Sequence, residues 1–140
     1  MRGREKILLK LRDMKRYVDF LKSYKETSIE KLRSDYLLRS AIERNFQLAL
    51  ESVLDVGEMI ISIENFRRPE EYREVIEILG EEGILSREFT EEFAPAAGFR
   101  NILVHKYTEV DLDELHRRLQ NLKDFDTFAL SVAKFLKKKG

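Results

Sequence analysis

From about residue 34 to residue 63, Leu38, Ala41, Ile42, Leu48, Ala49, Val53, Val56, Ile60 and Ile63 recur at helical period. At about 1.5 Å per residue such a helix is a rod of roughly 45 Å. A rod of that length becomes the spine of the molecule, and the flanking segments have to cover its apolar stripe. They carry stripes of their own. Ile7, Leu11, Met14, Val18 and Leu21 predict a first helix ending near Tyr24, which Glu26-Thr27-Ser28 breaks with capping residues. After the spine, Phe66 to Pro69 forms a stop, with Pro69 suited to the first turn of a third helix. That helix runs through Tyr72, Val75, Ile76 and Leu79 and ends near Gly80 or Gly83. Ser86 opens a fourth helix, which Pro95 bends or restarts on its way to about His105. Asp111 and Glu114 have capping-box spacing, and Val110 and Leu115 can staple that turn. A fifth helix follows through Leu115, Leu119, Leu122, Phe125, Phe128, Ala129, Val132 and Leu136.

No alternating strand pattern competes, so the expected fold is all-α, an up-down antiparallel bundle of about five helices. The 140 residues suffice for one buried core, and no linker or repeat divides them, so residues 1–140 are read as a single domain. Charged side chains make up 37%, yet 43% hydrophobic content still supports a folded core rather than disorder. The 26 basic and 26 acidic residues cancel, which argues against attachment to nucleic acid or membrane by overall charge alone. Their distribution is uneven. Residues 1–50 carry a net +6, residues 51–100 a net −8, and residues 101–140 a net +2. The absence of cysteine excludes disulfides, thiolate metal sites and cysteine nucleophiles. The longest apolar run inside the expected helices, Met59-Ile60-Ile61, is far short of the ~20 residues of a spanning helix. A cytoplasmic protein is expected.

The chemistry concentrates in Gly98-Phe99-Arg100-Asn101-Ile102-Leu103-Val104-His105-Lys106-Tyr107. On a helical wheel Phe99, Ile102 and Leu103 share a face that should enter the core. Asn101 and His105, four apart, share the opposite face, with Arg100 beside them. If the helix frays after His105, Tyr107 can fold back beside the imidazole. This strip suits phosphodiester chemistry without a metal. Histidine titrates near neutral pH and can take a proton from a ribose 2′-hydroxyl or give one to a leaving oxygen. Arginine offers a planar fork of donors to phosphoryl oxygens and to the charge that builds up in the transition state. A structural role is equally open on residue types alone: Arg100 and Tyr107 paired with acids of a neighbouring helix, His105 favourably placed at a helix C-terminus.

The segment Arg100-(four residues)-His105-Lys106-Tyr107, with Gly98-Phe99 before it and Asn101 after the arginine, resembles the signature of HepT-like proteins of the HEPN superfamily. The resemblance extends to Ala41-Ile42-Glu43-Arg44 and to the Glu51–Asp55 spacing on the long helix, so it covers nearly the whole chain. It implies a metal-independent endoribonuclease, the toxin of a toxin–antitoxin pair, with no cofactor. It also implies a homodimer in which the strips of two protomers face each other across an RNA cleft. Carried over by position, Arg100 and His105 are the catalytic pair and Asn101 their polar neighbour. Tyr107 is then the residue on which a partner minimal nucleotidyltransferase, the antitoxin, places AMP. The added phosphate would repel RNA and block the cleft. Larger assemblies with the antitoxin are compatible with this.

Glu43, Gln47, Glu51 and Asp55 repeat every four residues along the long helix. Glu43 and Gln47 are read as a solvated face or as an intrahelical network with Arg39 and Arg44. For Glu51 and Asp55 a role in orienting Arg100 or His105 stays open. No histidine stands at ligand spacing beside these acids, so no metal site is expected. The charge runs Arg2, Arg4, Lys6 and Lys137-Lys138-Lys139 are read as solvated ends, although phosphate contacts need only charge. Two rivals to the ribonuclease remain. One is a non-catalytic helical partner and modification substrate of a nucleotidyltransferase. The other is an interaction module whose strip is only a dimer surface.

Overall fold

The computed structural model describes residues 1–105 and 110–140. Among these residues the chain forms eight helices and no strand. They are α1 Arg4–Ser23, α2 Ile29–Ser34, α3 Tyr36–Ile63, α4 Tyr72–Glu81, α5 Arg87–Phe93, α6 Pro95–Val104, α7 Leu112–Leu119 and α8 Lys123–Lys138. The all-helical expectation holds, while the count of about five is too low, for three local reasons.

First, α2 is six residues long and buries one side chain, Leu32, too little for a period to show. Its start is nonetheless encoded, since the Ser28 hydroxyl accepts the Lys31 N–H at 3.1 Å. Second, the expected fourth helix is two, because Pro95 occupies the first turn of α6 and α5 ends at Phe93. Third, the expected fifth helix breaks at Gln120–Leu122. There the Gln120 and Asn121 N–H groups bond three residues back, to the carbonyls of Arg117 and Arg118. A tightened turn of that kind keeps the apolar spacing running across the break. Pro69 also differs from expectation: α4 starts at Tyr72, three residues beyond it.

The spine is bounded by two well-formed ends. The Asp35 carboxylate accepts the Leu38 N–H at 3.0 Å and starts α3. This bond is the main reason its carboxyl lies below the usual aspartate value. At the far end Asn65 takes the left-handed conformation at φ 56°. The Phe66 N–H reaches the Ile61 carbonyl and the Asn65 N–H the Ser62 carbonyl, closing α3 with a Schellman turn. Gly83, at φ 78°, closes α4 the same way, with Ile84 N–H on Leu79. Gly80 instead stays inside α4, where a Cβ would collide with Thr90 of α5.

Helix α1 runs antiparallel to α3. Gly3 at its start sits so close to Ile63 that a Cβ would lie 2.6 Å from Cδ1, and Lys10 reaches Asp55 at 3.1 Å. Helix α8 runs antiparallel to α1, with Lys22 on Asp126 at 2.9 Å, and its end is tied to that of α3 by Lys139 on Glu64 at 2.7 Å. The core is aromatic where the short helices close the bundle. Phe46 of α3 meets the Phe99 ring edge-on at 5.9 Å, and Phe93 meets Phe125 in the same way at 5.9 Å. Phe99 is 1% exposed. Its burial fixes the rotation of α6 about its axis, and with it the direction in which Arg100 leaves the helix.

Among the described residues no helix is long and apolar enough to cross a membrane.

Candidate active site

The ten residues of α6 deliver the first part of the motif. Phe99 enters the core as expected, whereas Ile102 and Leu103 are only half-buried, and both line an open groove beside the helix. His105 does not share a helical face with Asn101. Helix α6 ends at Val104, and His105 caps it with extended backbone at φ −81°, ψ 101°, so the wheel stops one residue short of the imidazole. The four-residue link survives in the backbone, because the His105 N–H donates to the Asn101 carbonyl at 3.2 Å.

Arg100 is held on several sides. Its Nη1 donates to the Asn101 side-chain oxygen at 3.2 Å, and its guanidinium carbon lies 4.7 Å from the centre of the Tyr72 ring. Its Nε is buried and has no hydrogen-bond partner among the described residues. A buried donor left without a partner is costly to keep. Around it, Glu51, Leu54, Asp55, Glu58 and Tyr72 line a cleft of about 120 Å³. Burial and then the neighbouring Asp55 push the Glu58 carboxyl above its ordinary value, while Arg100 opposes them.

Exposed His105 opens onto a second space, a groove of about 650 Å³ lined among others by Tyr36, Arg39, Glu43, Arg44 and Gln47. Burial raises the Glu43 carboxyl there, against the pull of Arg39. The clefts adjoin along α3, where the Gln47 amide donates to the Glu51 carboxylate at 2.8 Å. The polar line on the long helix thus serves both. Glu43 and Gln47 face the histidine groove, and Glu51 and Asp55 face the arginine cleft. Of the intrahelical network expected with Arg39 and Arg44, the pull of Arg39 on Glu43 is present, while Gln47 bonds to Glu51 instead. Asp55 is also paired with Lys10 of α1.

Asn101 is the joint between the two groups: its side chain holds Arg100 and its carbonyl holds the backbone of His105. Tyr107 lies outside the described residues. Sequence reasoning missed Tyr72 and Glu58. Glu58 had a signal, standing three residues after Asp55 on the same helical face. Tyr72 had none, since its pairing with Arg100 spans 28 residues of chain. Among the described residues no three His, Asp or Glu side chains gather as a metal site.

A long central helix carrying acids, crossed by a short helix with an Arg–Asn pair and a histidine at its end, defines a helical domain of the HEPN class. The chain belongs to the HepT-like ribonuclease family, whose profile matches residues 14–132. It is 31% identical to the tRNA nuclease HepT of Aphanizomenon flos-aquae over 101 residues, 71% of this chain and 68% of that protein. It is 26% identical to the mRNA nuclease HepT of Shewanella oneidensis over 97 residues, 69% of this chain and 73% of that one. The fold is similar to that of a tri-AMPylated HEPN toxin from Shewanella oneidensis solved in complex with an MNT antitoxin. The TM-score is 0.82 at 22% identity, covering 91% of this chain and 96% of the other. It is equally similar to YutE, a cytosolic protein from Bacillus subtilis, with a TM-score of 0.84 at 23% identity over 97% and 92% of the two chains.

Proposed function

We propose that this protein is a metal-independent endoribonuclease, the toxin of a toxin–antitoxin pair, acting as a homodimer. The observation that carries the reading is the Asn101 joint, which ties the Arg100 guanidinium and the backbone of exposed His105 together in the second half of α6 and at its end. His105 takes the proton of a ribose 2′-hydroxyl. The 2′-oxygen then bonds to phosphorus, and the bond from phosphorus to the 5′-oxygen breaks. The departing oxygen takes a proton from the partner subunit's His105, leaving a cyclic phosphate and a free hydroxyl. Arg100 meets the charge that gathers on the phosphoryl oxygens. Asn101 and Tyr72 position Arg100, and Glu58, which shares its cleft with Glu51 and Asp55, balances its charge at rest.

Dimerisation is supported by apolar side chains at the start of α3. Leu37 is 80% exposed and Tyr36 68%, and Tyr36 lines the His105 groove. Covering them with a second copy would bring two His105 grooves together.

In the same reading a minimal nucleotidyltransferase transfers AMP from ATP to the Tyr107 hydroxyl, releasing pyrophosphate. The new phosphodiester brings negative charge two residues from His105 and repels the RNA backbone. The test uses purified protein treated with a minimal nucleotidyltransferase and ATP. Intact mass should rise by AMP, RNA cleavage should fall in step, and Tyr107→Phe should lose the site-specific mass while continuing to cleave. A protein that gains AMP on Tyr107 and never cleaves RNA in its unmodified form is a modification substrate alone, and the ribonuclease reading is then wrong.

A further inference from the structure

The two basic ends of the sequence, read separately as solvated runs, are brought together by the fold. Helix α1 begins where α3 ends, with Gly3 against Ile63. Helix α8 ends there too, with Lys139 bonded to Glu64 at 2.7 Å. Beside that end lies a cleft of about 1040 Å³, lined among others by Arg2, Arg4, Lys6 and Lys10 from α1 and its approach. Lys137 and Lys138, both exposed, finish α8 at the same end. The cleft lining thus sets four cations against the carboxylates of Glu5, Asp55 and Glu58, with Asp55 already paired with Lys10, and Lys137 and Lys138 add two further cations at the same end of the bundle, where Lys139 and Glu64 pair with each other. In a chain of zero net charge, this is a segregated positive surface.

The cleft also adjoins the site described above, since Asp55 and Glu58 line both this cleft and the cleft of Arg100. From Asp55 to Ile63 is about 12 Å along α3, a distance that a flexible single strand spans within a few nucleotides.

We propose that this end of the bundle is a second RNA contact, a phosphate-binding track that leads the strand past Asp55 and Glu58 to Arg100. The assignment rests on the ribonuclease reading for its direction, and on charge and adjacency for its existence. Arginine and lysine side chains that neutralise backbone phosphates release counterions, so each contact adds about 0.7 to the slope of log affinity against log salt on a single strand.

The probe is a fluorescein-labelled RNA with every 2′-oxygen methylated, which cannot be cleaved by 2′-oxygen attack. Its binding is followed by anisotropy at several salt concentrations. The fourfold variant Arg2→Gln, Lys6→Gln, Lys137→Gln and Lys138→Gln should weaken binding by about tenfold or more and lower the salt slope by about two. The charge-preserving variant Lys6→Arg, Lys137→Arg and Lys138→Arg should bind like wild type, which separates loss of charge from loss of fold. Unchanged affinity and slope in the fourfold variant would overturn the proposal and leave these cations to their helix termini. A loss of affinity for the nucleotidyltransferase with RNA binding intact would overturn it as well. Wild type that binds the methylated RNA through these residues but cuts no ordinary RNA would retain the track and remove the ribonuclease reading. Cleavage by wild type with no effect of the fourfold variant on binding would do the reverse.

Discussion

The Arg100 cleft and the His105 groove lie side by side on α3, yet they are built differently. The arginine is surrounded by the fold: Tyr72 from the start of α4 lies against its guanidinium, Asn101 bonds to it, and three carboxylates of α3 share its cleft. The histidine stands past the end of its helix and lines an open groove, its backbone N–H bonded to the Asn101 carbonyl. One group is thus placed by packing and the other by chain termination. A cation that meets developing charge gains from being held still, because its alignment is settled before the reaction. A proton-transfer group has to meet an oxygen of a strand that arrives from solvent, and an exposed position at a helix end suits that task.

Breaking each side separately should give effects of different size. His105→Ala should lower RNA cleavage by at least about a hundredfold, while the folding free energy stays within about 0.5 kcal/mol of wild type because the side chain is exposed. Cleavage assays paired with chemical denaturation check both halves. Arg100→Lys should cost about ten- to a hundredfold in kcat/KM, since a point charge cannot reproduce the fork of donors or lie flat on Tyr72. Tyr72→Leu sharpens the contrast, for it touches the arginine side alone. A cation–π contact of about 0.5–2 kcal/mol predicts a fall in kcat/KM of roughly two- to thirtyfold. The pH profile should keep its shape, because the proton-transfer group is untouched.

The smallest effect concerns the groove. Burial raises the Glu43 carboxyl in the folded protein. A raised folded-state value favours the native state below the ordinary glutamate range, and that advantage is lost as pH rises through the folded-state value. Glu43→Gln should therefore be slightly more stable than wild type at neutral pH, with the gain shrinking as pH falls toward the ordinary carboxylate range. Thermal midpoints measured across that interval read the sign directly.

Much of this architecture is legible in the sequence because long helices advertise themselves. The apolar stripe of α3 is read within two residues of its observed start, and Pro95 marks the join of α5 and α6. What escapes are features with no period. Helix α2 has too few turns, and the break between α7 and α8 preserves the spacing of Leu119, Leu122 and Phe125 across it. Phe99 is correctly read as core, and from it the outward course of Arg100 follows. The position of His105 does not follow, because a wheel assumes a helix that the chain ends at Val104. Tyr72 looks like one more apolar position of α4 until the fold lays its ring against a guanidinium.

The most direct test of the central claim is cleavage of a mixed RNA pool by purified protein in EDTA, with His105→Ala alongside and Tyr107 shown unmodified by intact mass. Wild type should give discrete fragments and the variant none above background. Equal cleavage by the two proteins, or an intact RNA pool with the wild type, would contradict that claim.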